Sequence, residues 1–294
     1  MIAVCGASGN LGGRTLRHLL DRVDADRVLA LSRTPGRVTA PVAARAADFG
    51  DPAGLVRAFE GVERLLLISV DAVTGRVPLH ANAVEAAAQA GVEHVVYTST
   101  VRAGDPGNPS GVAHDHRETE RLLAGSGLRF TSLRFNVWPE MLTYLGVAQR
   151  VVASGELPSN SGAGGVGYIG RDDSAAVAAA VLAEGGSEGQ FLEVTGPAAV
   201  TDAELADVLA DATGRPVRHR PATDAEMPSL LIAQGMPAPL AEAWTGAGIV
   251  RRNGWFDVVT HAAERLTGRR PASLSDLLVQ DRPALLAPAG SGSR

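Results

Sequence analysis

Gly6, Gly9 and Gly12, in the stretch GASGNLG, are the residues whose type and spacing first suggest chemistry. They follow residues 1–5, an apolar, β-branched run of the kind that makes a strand buried on both faces. Asn10 then opens a segment in which Leu11, Leu16, Leu19 and Leu20 fall on roughly one helical face. A diphosphate needs backbone N–H groups close at hand and a helix N-terminus whose partial positive charge faces it, and glycines permit the close approach. Gly6, Ser8, Gly9, Asn10, Leu11 and Gly12 are therefore candidate contacts of a dinucleotide.

Further candidates stand at the ends of the strands that follow. Residues 27–32 read as a second strand, ending in Ser32 and Arg33 with Arg37 in the next turn. A carboxylate at that point would bind an unmodified adenosine ribose, whereas a serine and arginines suit a 2′-phosphate, so the expected cofactor is NADP(H). After a third strand at 42–46, Asp48 and Phe49 are placed at the adenine, and Asp51 caps a helix over 53–59. A fourth strand at 63–69 leads into Ser69, Val70 and Asp71, which should run past the cofactor. Thr98 in the fifth strand and Arg171 at a later helix start are added to the set. The exit of the sixth strand, with Asn136, Val137, Trp138 and Glu140, is placed at the nicotinamide end, because open α/β sheets bind ligands beyond the carboxyl ends of their strands.

The catalytic residues are not singled out by any spacing. All 27 basic residues of the Lys+Arg count are arginines. The missing amine excludes Schiff-base chemistry, a P-loop and a Tyr-x-x-x-Lys pair. Tyr97, Ser99 and His116 remain as candidate proton donors. His114 and His116 are two apart on an expected helix and point different ways, and Asp115, Glu118 and Glu120 look like an exposed helix start, so no metal site is expected. Cys5, the single cysteine, reads as a small buried hydrophobe.

The regular alternation of strand and helix predicts an α/β, Rossmann-type doubly wound parallel sheet with helices on both faces and a smaller C-terminal α/β cap. The expected division is a nucleotide-binding core over 1–140, a substrate-binding cap over 141–282 from which about 166–194 returns to the core, and a disordered tail at 283–294. In the cap, helices are expected at 141–153, 201–212, 224–234, 237–245, 256–266 and 273–279, with short strands at 166–169 and 190–194. With 294 residues, 45% hydrophobic and 20% charged, and a net charge of −5, the chain has no basic surplus for nucleic acid. No apolar run approaches the about 20 residues that cross a bilayer, and a cytoplasmic location is expected.

Several blocks carry a likeness: GASGNLGG, ADFGD at 47–51, GVERLLLIS at 61–69, VVYTS at 95–99, HRETERLLAGSG at 116–127, LRFNVWPE at 133–140 and TGPAAVTDAELADVLADATGRPV at 195–217. Together they resemble the NmrA-like atypical short-chain dehydrogenases, above all the bacterial flavin-free NADPH:quinone oxidoreductases of the second type. The resemblance implies Gly6 to Gly12 at the pyrophosphate, Arg33 at the 2′-phosphate, Ser69 and its loop at the middle of the cofactor, and Asn136 to Glu140 at the nicotinamide. It also implies a family without the usual Tyr/Lys pair. Phe135, Asn136, Val137 and Met141 stand where that pattern has Asn-Gly and Asn, which points to a drier and differently shaped pocket. The expected activity is hydride transfer from NADPH to a quinone or similar electron-poor aromatic small molecule. The alternatives are a non-catalytic NmrA-type NADP(H) sensor acting through a protein partner, and a biosynthetic reductase of an aromatic metabolite.

Overall fold

The uninterrupted apolar runs of the N-terminal half lie side by side in one parallel sheet. The computed structural model describes residues 1–70 and 75–289. The chain divides into two units, the first comprising 1–135, 171–194 and 262–269, the second 136–170, 195–261 and the stretch from 270.

In chain order the first unit contains β1 (Ile2–Cys5), α1 (Asn10–Leu20), β2 (Val28–Ser32), β3 (Ala43–Ala46), α2 (Pro52–Phe59), β4 (Arg64–Leu67), α3 (Arg76–Gln89), β5 (His94–Thr100), α4 (Gly111–Gly125) and β6 (Arg129–Phe135). After the second unit's first segment come α5 (Arg171–Glu184), β7 (Phe191–Val194) and α6 (Ala262–Thr267). The seven strands are all parallel, in the order β3-β2-β1-β4-β5-β6-β7. Ile2 pairs with Val28 on one side and Arg64 on the other. The order therefore reverses between β1 and β4, the kind of switch point at which such sheets open a crevice.

Period two divides each strand between two cores. Ala3, Cys5, Leu65, Leu67, Val95 and Tyr97 pack against Leu55 and Phe59 of α2, Ala83, Val84 and Ala87 of α3, and Leu123 of α4. The opposite face carries α1, which packs along α5. That helix is buried from Asp173 to Leu182, which accounts for its almost wholly apolar and alanine-rich sequence. The doubly wound sheet read from the sequence is the fold of this unit.

The second unit has its own core, built from residues such as Leu142, Val151, Leu157, Leu209, Met227, Leu231 and Leu278. Several expectations fail here. The helix expected at 141–153 is two, Glu140–Tyr144 and Val147–Ser154, because Gly146 between them takes φ +70°. A strand at Glu156–Ser159, paired in parallel with Arg218–Pro221, has no counterpart in the sequence reading. The strand expected at 166–169 shrinks to Gly165–Val166, and the helix expected at 237–245 runs Ala238–Arg252.

Residues 256–261 are not helical, and α6 begins only at Ala262. The Phe256 carbonyl accepts from Gly167 N and from Asn136 Nδ2 rather than from a residue one turn on. The same bonds keep 166–170 in the second unit, so the return to the sheet starts at Arg171, and α6 belongs to the first unit. The helix Arg282–Leu286 runs into the stretch 283–294, expected to be disordered, with Leu285 buried in the core.

Candidate active site

The turn after β1 leaves backbone N–H groups and open space at the start of α1. Gly6 sits at φ +64°, in the left-handed region that a side chain resists, and its carbonyl accepts the Gly9 N–H at 2.8 Å. A Cβ on Gly12 would overlap the Gly6 carbonyl and Ala7 Cα, so the turn closes only around glycine there. A Cβ on Gly9 would meet the Gly6 oxygen alone, at 3.1 Å, and otherwise project into open space. Gly9 is also the N-cap of α1, with no side-chain cap and no acidic residue in the first turn. The orphan N–H groups of Asn10, Leu11 and Gly12 are thus left for an outside acceptor, and the residues present fit a pyrophosphate.

At the end of β2, Ser32 is buried, its Oγ 2.7 Å from Ser8 Oγ and accepting the Thr34 N–H. Its neighbour Arg33 is exposed and lines a depression of about 330 Å³ with Arg45, Asp48, Asp51 and Arg57 among its walls. Arg37, also exposed, closes a short turn at Pro35–Arg37 and is not part of that wall. Asp48 accepts the Gly50 N–H, Asp51 caps α2 through the Gly54 N–H, and the Phe49 ring lies edge-on to His80.

Beside Gly6 across the switch point, the segment leaving β4 is held by side chains. Thr98 Oγ1 accepts the Ser69 N–H at 2.9 Å, and His80 Nε2 accepts that of Val70 at 3.1 Å. Two sequence candidates, Ser69 and Thr98, are therefore brought together, while Asp71 lies outside the described residues. Arg171 opens α5 in the same unit.

Asn136, Val137, Trp138 and Glu140 belong to the second unit. The Asn136 amide donates to Phe256 O and accepts from Val137 N, the Val137 carbonyl accepts from Ile169 N, and Glu140 starts a helix whose Thr143 hydroxyl bonds its carbonyl.

The three candidate proton donors fall in two separate networks. Tyr97 Oη lies 2.7 Å from His116 Nδ1, with both side chains buried. Burial raises the Tyr97 phenol well above its usual range, and burial together with Arg76 and His80 pushes His116 down to about 3. Ser99 donates instead to Glu120 Oε1, which also accepts from Ser132 and Arg134. The expectation that 114–120 forms an exposed helix start is corrected on one side: α4 buries Ala113, His116, Thr119, Glu120 and Leu123, a single helical stripe, while His114 is exposed.

A family model described as NAD(P)H-binding matches residues 6–185. Quinone oxidoreductase 2 of Escherichia coli is 37% identical over 87% of this chain and 90% of its own. The chain belongs to the NmrA-like NAD(P)H-binding family. The crystal structure of the NADPH-dependent quinone oxidoreductase from Escherichia coli complexed with NADPH superposes with a TM-score of 0.88 at 33% identity, covering 95% of this chain and 99% of that one. Citrobacter triphenylmethane reductase complexed with NADP(H) gives 0.87 at 30% identity, covering 96% and 100%. The protein is an NAD(P)H-dependent oxidoreductase.

Sequence reasoning passed over His80, Arg76 and Thr119 in this reductase. The available signal was His80 itself, a polar residue sharing the buried stripe of α3 with Ala83, Val84 and Ala87. Among the described residues no helix is long and apolar enough to cross a membrane, and no three His, Cys, Asp or Glu side chains gather as a metal would need.

Proposed function

We propose that this reductase passes hydride from NADPH to quinones and similar electron-poor aromatic acceptors. The observation that carries the reading is the confinement of Tyr97 against His116 in a chain without lysine. Reducing a simple ketone leaves an alkoxide that demands a positioned acid, whereas reducing a quinone leaves a phenolate-like anion whose conjugate acid has a pKa near about 10. Here the phenol is bound to an imidazole held neutral, and the Ser99 hydroxyl is spent on Glu120. An acceptor that needs no strong acid suits such a site. Relatives named for quinone and triphenylmethane reduction support the same class.

When bound, NADPH supplies the hydride from its nicotinamide ring. The first-turn N–H groups of α1 and the Gly6 to Gly12 turn would hold the pyrophosphate, and Arg33 beside Ser32 would hold the 2′-phosphate. Thr98 keeps Ser69 in place at the switch point.

The test is to mix purified protein with NADPH and a panel of quinones and simple ketones, following the absorbance of the reduced cofactor. Turnover of quinones with none of ketones is expected. Efficient ketone reduction would overturn the assignment, and NADPH binding without turnover of any acceptor would support a sensor instead.

A further inference from the structure

The peptide of Val70 is gripped from both sides by one helix. Its N–H donates to His80 Nε2 at 3.1 Å, and its carbonyl accepts from Arg76 Nε at 3.1 Å. The two side chains are four residues apart on α3 and so share a face. We propose that His80, assisted by Arg76, is a positioning residue for the dinucleotide, fixing the segment that leaves β4 in the form that binds it; this rests on the cofactor reading above.

Every proton in the arrangement is assigned by geometry. Because Nε2 accepts, the imidazole carries its hydrogen on Nδ1, which donates to Thr119 Oγ1 at 2.9 Å. The Thr119 hydroxyl in turn donates to the Asp115 carbonyl at 3.0 Å, and Arg76 Nη1 reaches Asp115 Oδ2 at 3.3 Å. Helix α4 therefore braces α3 at both gripping residues. Edge-on contacts with Tyr97 at 5.6 Å and Phe49 at 6.3 Å lock the ring plane. Two residues on, Asn82 Nδ2 donates to the Phe49 carbonyl at 2.8 Å. One helix thus sets the backbone beyond the ends of β4, next to β1, and of the edge strand β3.

The fold alone does not demand this. β4 ends at Leu67, and a half-buried loop peptide such as that of Val70 can be satisfied by water. A fully buried imidazole and a largely buried guanidinium committed to one peptide specify the backbone at Val70.

His80→Leu removes the acceptor, while His80→Gln restores one near the Nε2 position with an amide to spare for Thr119. Direct calorimetric titration with NADPH should show affinity weakened about 10-fold in His80→Leu and in Arg76→Met, and largely rescued in His80→Gln. In steady-state assays the loss should fall in KM for NADPH rather than in kcat. Arg76→Met carries the test by itself if His80→Leu does not fold. Wild-type NADPH affinity in the folded variants, or a His80→Gln as impaired as His80→Leu, overturns the inference. Gly9→Val separates the two levels: if it abolishes NADPH binding while the His80 and Arg76 variants bind normally, the cofactor reading stands and this inference falls. Should Gly9→Val bind NADPH normally, the cofactor reading fails and takes this inference with it.

Discussion

The Tyr97 hydroxyl and His116 Nδ1 face each other at 2.7 Å with both side chains buried, so two of the three candidate proton donors are spent on each other. Tyr97→Phe and His116→Ala should each lower quinone turnover far less than the roughly 10² to 10⁴-fold expected for an essential general acid. Their cost should appear in stability, about 1 to 3 kcal/mol for the partner left buried and unpaired. Steady-state kinetics beside urea unfolding checks the division. A large, pH-dependent collapse of turnover in folded His116→Ala would return proton donation to His116.

Stability should depend on pH through the buried imidazoles, of which His80 and His116 are the most strongly shifted and His94 is lowered by burial as well. Unfolded, each takes up a proton near pH 6.5. Folded, burial and then Arg76 hold His80 down to about 4, and burial, Arg76 and His80 hold His116 down to about 3. Across that window the unfolded chain binds more protons, so this contribution is complete above pH 6.5 and is lost as pH falls toward 4. The slope is up to about 1.4 kcal/mol per pH unit for each histidine. Tm measured from pH 7 to 4 should drop accordingly, and His116→Asn, which keeps an acceptor near Nδ1, should flatten the curve by about one proton.

What the sequence revealed was local. The glycine turn and the Asp51 cap on Gly54 N each declare themselves within a few residues. What it concealed depends on distant partners. Glu156–Ser159 and Arg218–Pro221 are short strands without a clear alternating pattern, each with the other as its partner. Phe256 loses its helix because Asn136, far back in the chain, takes its carbonyl. His80 acquires its place from Val70 behind it and Thr119 ahead, a separation that no periodicity encodes. Glu120 looked like surface charge because its Arg134 partner sits on another element.

That hidden ion pair is testable. The Glu120 carboxylate receives Ser99, Ser132 and two bonds from Arg134, whose other partner is Glu193 at 3.2 Å. Glu120→Ala should destabilise the protein by about 3 kcal/mol, the low end for breaking a buried pair because Glu193 still faces the arginine. Glu118→Ala, on the same helix but in an exposed pair with Arg121, should cost less than about 1 kcal/mol. Equal midpoints for the two variants in urea would refute the distinction.

Arg33, at the end of β2, is expected to decide between the two dinucleotides. It stands exposed beside buried Ser32, where an NAD site would place a carboxylate. Arg33→Ala should weaken NADPH binding by about 10- to 100-fold, the range for a charge-assisted contact, and change NADH binding by no more than about 2-fold. Equal losses for both cofactors would sink the assignment.

Gly9 and Gly12 should fail in different ways, although the motif treats them alike. A Cβ on Gly12 collides with the backbone of its own turn, which has no flexible atom to yield, so Gly12→Ala should distort the β1–α1 connection and lower Tm as well as cofactor affinity. At Gly9 the added Cβ meets the Gly6 oxygen at 3.1 Å, a contact that a few tenths of an ångström relieves, and the rest of a side chain points outward from the cap of α1. Gly9→Val should therefore keep the fold and fill the space that a pyrophosphate would need. Circular dichroism melts paired with NADPH titration separate the outcomes. A Gly9→Val protein that melts near wild type and binds no NADPH, beside a Gly12→Ala protein that melts lower, is the expected pattern; a stable Gly12→Ala with normal affinity would show that the turn can relax around a methyl group after all.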